Sequence, residues 1–264
     1  MKKILTICTV IVLLFAMVFT FTACGNSNTL YVYTEAGFAP FEFLNHDEVV
    51  GLDAIIGFMV AQELGMKLEI KNVDFNAIPE AVKNSPENSL GIAGITICEI
   101  DGITFSNPYF TSQQYILAKK GTFTSSSDSL ELSVLNNKKV GAQLSTTGHS
   151  LLKDSVENNT LTGVEIVTNQ KYNFLVESLK NGNLDAIVID KTPAESYQKA
   201  NSEDLEIFPI AGADVESYGV EVASSNTKLL ATVNKVLASI TPEQIAAWVE
   251  HYTALANEIA GVNA

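Results

Sequence analysis

A chain of 264 residues with 30 acidic side chains against 16 basic ones carries a formal charge of −14. Such an excess repels polyphosphate, so nucleic acid is excluded as a partner. All 16 basic residues are Lys; the absence of Arg removes any bidentate guanidinium grip on a carboxylate.

Residues 1–24 read MKKILTICTVIVLLFAMVFTFTAC: two lysines, a continuous apolar run, then small residues leading to Cys24. This is the pattern of a secretory signal. FTAC followed by Gly25 resembles the site at which a cysteine is lipidated and becomes the new N-terminus, with Phe21 where Leu is usual. A plain signal peptide and a membrane anchor are the alternatives. The run is barely long enough to span a bilayer and ends at Ala-Cys, which favours the lipoprotein. A lipid on Cys24 would hold a non-spanning domain at the extracytoplasmic face of the membrane. Loss of Lys2 and Lys3 leaves 14 Lys against 30 acids, 14 − 30 = −16. Cys98 is then the one cysteine without an assigned fate; in an apolar setting it reads as a small buried side chain or a reactive thiol.

After a short polar tether (25–29), strand and helix signals alternate. LYVYT (30–34) reads as a strand and EAGFAPFEFLNHDEVVG as a loop. DAIIGFMVAQELG (53–65) reads as a buried helix with Asp53 as N-cap and Gly65 just past its end. KLEIKNV (67–73) is strand-like, FNAIPEAVKN a short helix, and LGIAGITI (90–97) a strand buried on both faces. QYILAKK (114–120) and KKVGAQL (138–144) read as strands, STTGHSLLKDSVEN as a loop entering a helix, and VEIVT as a strand. KYNFLVESLKNG (171–182) is an amphipathic helix and LDAIVID (184–190) a buried strand. Two helices close the chain, NTKLLATVNKVLASI (226–240) and TPEQIAAWVEHYTALANEIA (241–260), the second with a capping-box pattern at Thr241, Pro242 and Gln244. The alternation predicts an α/β protein with largely parallel sheets and a ligand outside the carboxyl ends of the strands.

Five features, in order, resemble the extracytoplasmic solute-binding proteins of family 3, which serve amino-acid ABC importers. They are FAPFEF (38–43), G-L-D (51–53), GITI leading to FSNPY (94–97, 105–109), VGAQLSTT (140–147), and NGNLDAIVID (181–190) with SYGVEV (217–222) as a return segment. The resemblance implies the two-lobe, type II periplasmic-binding-protein-like fold. Lobe 1 would hold residues 30–117 and 214–264, lobe 2 residues 118–213, with hinges near 118–121 and 209–217. Ligand binding in the cleft would close it by hinge motion. The protein would work as a monomer with ABC permease subunits and needs no cofactor.

The resemblance also implies roles for individual residues. Glu35 would face the ligand's charged groups, and Phe38 and Phe75 would enclose it. Gly94 and Thr96 would meet a ligand carboxylate, as would Thr146 and Thr147 at the start of a helix. Asp190 would take the α-ammonium. Read from residue type alone, Phe75 equally suits core packing, and Thr146 and Thr147 equally suit helix capping. A carboxylate ending the apolar strand LDAIVID must face solvent, a cleft or a partner.

The family's carboxylate-gripping Arg is missing. Its position falls on Asp101 without a gap and on Ile100 with one; Asp101 would repel a carboxylate and Ile100 offers it no donor. The usual G-x-D-x-D opening is also incomplete, with Ile55 in place of the third acid. Charge-assisted hydrogen bonds contribute about 1.5–3 kcal/mol each, so losing a bidentate pair weakens carboxylate binding by orders of magnitude. The expectation is therefore an atypical ligand, neutral or cationic, held by Glu35, Asp190 and Asp101, or a carboxylate held only by hydroxyls and backbone amides. Two rival readings remain on the same fold: a ligand sensor or protein-binding lipoprotein, and a dehydratase-like enzyme. His46, His149 and His251 lack metal-ligand spacing, and no nucleophile motif is present, so catalysis is not expected.

Overall fold

The computed structural model describes residues 28–124 and 128–261; the signal segment and Cys24 lie outside the described residues. Two five-stranded sheets dominate. The first runs, edge to edge, Lys67–Asn72, Thr29–Thr34, Ser89–Gly91, Glu221–Ala223 and Ile103–Phe105. The second runs Glu165–Asn169, Lys139–Gln143, Ala186–Asp190, Gln114–Lys119 and Leu205–Pro209. These are the two lobes of a type II periplasmic-binding fold.

The sheets are mixed rather than largely parallel. The sequentially wound strands pair in parallel. Gln114–Lys119 and Glu221–Ala223 run against their neighbours. Each follows a crossing from the other lobe, so each enters its sheet from the cleft end and runs away from it. A short ribbon, Phe110–Ser112 paired with Glu216–Tyr218, lies at the two crossings. Gln114–Lys119 pairs within the second sheet along its full length and passes residue 117 without interruption.

Alternation in TLYVYT turns Leu30, Val32 and Thr34 into the core. All five residues of Ala186–Asp190 are buried, as a strand covered on both faces requires. One apolar cluster contains Leu30, Ile56, Phe41 and Tyr218 together with Tyr172 and Ile187, and therefore joins both lobes.

The helix Leu52–Leu64 buries Leu52, Ile56 and Val60 at four-residue spacing and ends at Gly65 in the left-handed region. Its start departs from the sequence reading. Gly51, not Asp53, holds the cap position, with φ of 132°. The backbone carbonyls of Pro40 and Phe41 accept the Leu52 and Asp53 N–H groups at 3.2 and 3.0 Å. Capping is thus done by backbone, which frees the Asp53 carboxylate for another use. A Cβ at position 51 would stand 2.1 Å from the Phe41 carbonyl oxygen. Gly51→Ala is accordingly expected to lose about 2–4 kcal/mol of stability through strain and clash together, read as a lower urea midpoint at unchanged slope.

Other differences are local. The stretch expected as a loop holds three short paired strands, Gly37–Phe38, Glu42–Asn45 and Glu48–Val50. Of LGIAGITI only Leu90 and Gly91 are strand, in Ser89–Gly91, and Gly94 turns the chain with φ of 54°. The helix Lys191–Ala200 was not expected from a polar segment containing Pro193. The final helix, Pro242–Ile259, carries the expected capping box between Thr241 and Gln244.

Candidate ligand-binding cleft

A cavity of about 280 Å³ lies between the lobes. Eight of the nine residues expected from sequence line it: Glu35, Phe38, Phe75, Gly94, Thr96, Thr146, Thr147 and Asp190. Asp101 does not; it sits exposed on a turn whose Gly102 leads into the strand Ile103–Phe105. Ile100 lines the cavity instead, and offers it an apolar side chain.

Each residue reaches the cleft through the fold. Asp190 ends the buried strand Ala186–Asp190 and is 5% exposed. Gln114 Nε2 donates to its Oδ1 at 2.7 Å, and the Tyr218 hydroxyl donates to Oδ2. Burial, then the charge of Glu216, pushes its carboxyl up to about 6. Glu35 follows the first strand and is 1% exposed. Gln143 Nε2, from the other lobe, donates to its Oε2 at 3.0 Å, and Lys171 Nζ stands 4.0 Å from Oε1. Burial raises its carboxyl pKa, with Gln143 and Lys171 opposing. Phe38 stacks on Tyr172 with ring centres 5.8 Å apart, and the Tyr197 hydroxyl donates to the Gly37 carbonyl at 2.9 Å. Aromatic and polar contacts therefore bridge the lobes.

The donors assigned to a ligand carboxylate have protein acceptors here. The Gly94 N–H donates to Asp53 Oδ2 at 2.8 Å. The Thr96 and Thr147 hydroxyls donate to Glu216 Oε2 at 2.7 and 2.8 Å, one from each lobe. Gln114 Nε2 lies 3.3 Å from Glu216 Oε1. A protein carboxylate thus takes the hydroxyls assigned to a ligand's. Thr146 is a helix cap: its Oγ1 accepts the His149 N–H at 3.3 Å and donates to the Gln143 carbonyl at 2.8 Å.

Several cleft residues escaped the sequence reading. Glu42 is 1% exposed and faces Asp53, and burial raises both carboxyls, Glu42 well above its ordinary range. After burial, the charge of Asp53 and its hydrogen bond add to the rise at Glu42. Glu221 also lines the cavity, fully buried. Cys98 is exposed at the cleft rather than buried, because the chain past Thr96 runs outside the strand. No Lys lines the cavity among the described residues. Nor do those residues contain a metal-binding group of His, Cys, Asp and Glu, or a helix long and apolar enough to cross a membrane.

Two α/β lobes around an inter-lobe cleft are the architecture of a solute-binding protein. The family model for bacterial extracellular solute-binding proteins, family 3, matches residues 30–254, and the chain belongs to that family. It is 30% identical to the arginine-binding extracellular protein ArtP of Bacillus subtilis (strain 168) over 230 residues, 83% of this chain and 86% of the relative. It is 28% identical to the L-cystine-binding protein TcyJ of Escherichia coli (strain K12), over 80% and 77% of the two chains. Among solved structures, an ancestral arginine-binding protein bound to arginine matches with a TM-score of 0.75 and 32% identity, covering 85% of this chain and 98% of that one.

Proposed function

We infer that this chain is the lipid-anchored capture subunit of an ABC importer, and that its ligand is a cationic amine-type solute rather than an ordinary α-amino acid. Cys24 carries the lipid, and the permease receives the ligand from the closed cleft. One observation carries the ligand class. Glu216 occupies the two hydroxyls that a ligand carboxylate would need, in a cleft with no basic lining residue. A second carboxylate at that point would meet like charge instead of a cation. Asp190 and Glu35 suit ammonium or guanidinium groups, and Phe38 and Phe75 offer aromatic faces to them.

The experiment is a thermal-shift screen of the purified protein over amino acids, their decarboxylated amines and polyamines. Ligands that bind only the folded state raise the melting temperature. A rise with amines is expected; no rise with any compound would end the solute-binding reading for this chain. A narrower check is Glu216→Ala, which frees the Thr96 and Thr147 hydroxyls. The affinity ratio of lysine to its decarboxylated amine, measured by calorimetry, is expected to rise about tenfold. An unchanged ratio would show that Glu216 does not exclude carboxylates.

A further inference from the structure

Glu221 has no part in the reading above, and its setting is unusual. It opens the strand Glu221–Ala223 inside the first sheet, opposite Gly91. The residue is 0% exposed, and neither carboxyl oxygen has a hydrogen-bond partner. Yet it lines the cavity, with Ala93, Cys98 and Ile100 along the lobe-1 wall. Lys83, the cation whose field reaches Glu221, is ion-paired to Glu80 at 2.9 Å. A buried polar group left without a partner is costly, and folds retain few of them.

The surroundings make room for this acid. A Cβ on Gly91 would come within 2.7 Å of Glu221 Oε2 and 2.6 Å of Ile78 Cγ2. Any larger residue at 91 would displace the carboxyl, so the two positions are matched. Core packing would be served better by an apolar side chain at 221, which would fill the space without a polar penalty. An acid there gains by meeting a cation that the protein itself does not supply.

We propose that Glu221 is a second cation subsite of the cleft, taking one ammonium or guanidinium of a dicationic ligand whose other cation lies at Asp190. It rests on the reading of the cleft as an amine site. Asp190 stands on lobe 2 and Glu221 on lobe 1, so a ligand bonded to both would tie the lobes together. The chemical class is an aliphatic diamine or guanidino-amine without an α-carboxylate.

The test is calorimetric titration of the purified protein with α,ω-diaminoalkanes of three to six carbons, against the monoamine of each length. At the best length the diamine is expected to bind about tenfold or more tightly than its monoamine, as one added charge-assisted hydrogen bond allows. Glu221→Gln is expected to bring that diamine down to the monoamine's affinity, and Glu221→Asp, with a shorter reach, to lower the ratio part of the way. Equal affinities at every length, or a ratio that survives Glu221→Gln, would overturn the subsite while leaving the amine site standing. No binding of either kind of amine would overturn both.

Discussion

Asp190→Asn is expected to weaken binding of an amine ligand by about 10²–10³-fold while the protein folds normally. Removing one partner of a buried charge pair costs about 3–5 kcal/mol, and each 1.4 kcal/mol is a factor of ten. The amide preserves the shape of the carboxylate, so the loss reports charge rather than packing. Folding should not suffer, because burial and the nearby Glu216 already disfavour the ionised Asp190. The melting temperature without ligand should stay level or rise. The same shift predicts a pH dependence. With its carboxyl pushed up to about 6, Asp190 loses its charge as pH falls through that value, and amine affinity falls with it. Calorimetry of the wild type and variant at pH 5 and pH 7.5 checks both points. A variant that binds an amine as tightly as the wild type would remove Asp190 from the site.

What the sequence made legible was what short-range patterns encode. The alternation in TLYVYT, the uniform burial of AIVID and the apolar spacing of the helix Leu52–Leu64 each depend on local periodicity, and each appears in the fold. Asp190 was legible because a charge at the end of an apolar strand has few places to go. What the sequence did not show depends on partners far away in the chain. Asp53 looked like a cap because Asp before an apolar run usually is one, but the capping carbonyls come from Pro40 and Phe41, each twelve residues upstream of the N–H it accepts. Thr96 and Thr147 carry the right chemistry, yet their acceptor is Glu216, 120 and 69 positions away in the chain. Glu221 lies in the return segment SYGVEV, which was recognised as such, but nothing local shows that its carboxyl is buried against Gly91. Asp101 and Ile100 could not be separated from sequence because the link to FSNPY is short. The turn at Gly102 separates them, leaving Asp101 outside the cavity and Ile100 on its wall.

Without ligand, the protein is expected to lose stability as pH rises from about 6 to 8, and Glu221→Gln to remove the Glu221 share of that loss, the buried Glu42 contributing the rest in the same direction. Burial without a partner pushes Glu221 up to about 8 from its ordinary 4.5. The folded state therefore holds a proton on Glu221 that the unfolded chain has already released. Between those two values the unfolded state binds fewer protons, so stability falls with rising pH, by up to about 1.4 kcal/mol per unit, and levels off above 8. Asp190 contributes in the same direction but at lower pH, between its ordinary 3.8 and about 6. The interval from 6 to 8 therefore separates Glu221 from Asp190. Glutamine has nearly the shape of the protonated acid and cannot ionise, so the variant should gain on the wild type by about 2–3 kcal/mol between pH 6 and pH 8. Urea midpoints of the two proteins at pH 5, 6, 7 and 8 measure the difference directly. Parallel curves across that range would mean that the Glu221 carboxyl has a partner or reaches water, and that its oxygens are not held dry against the cleft wall.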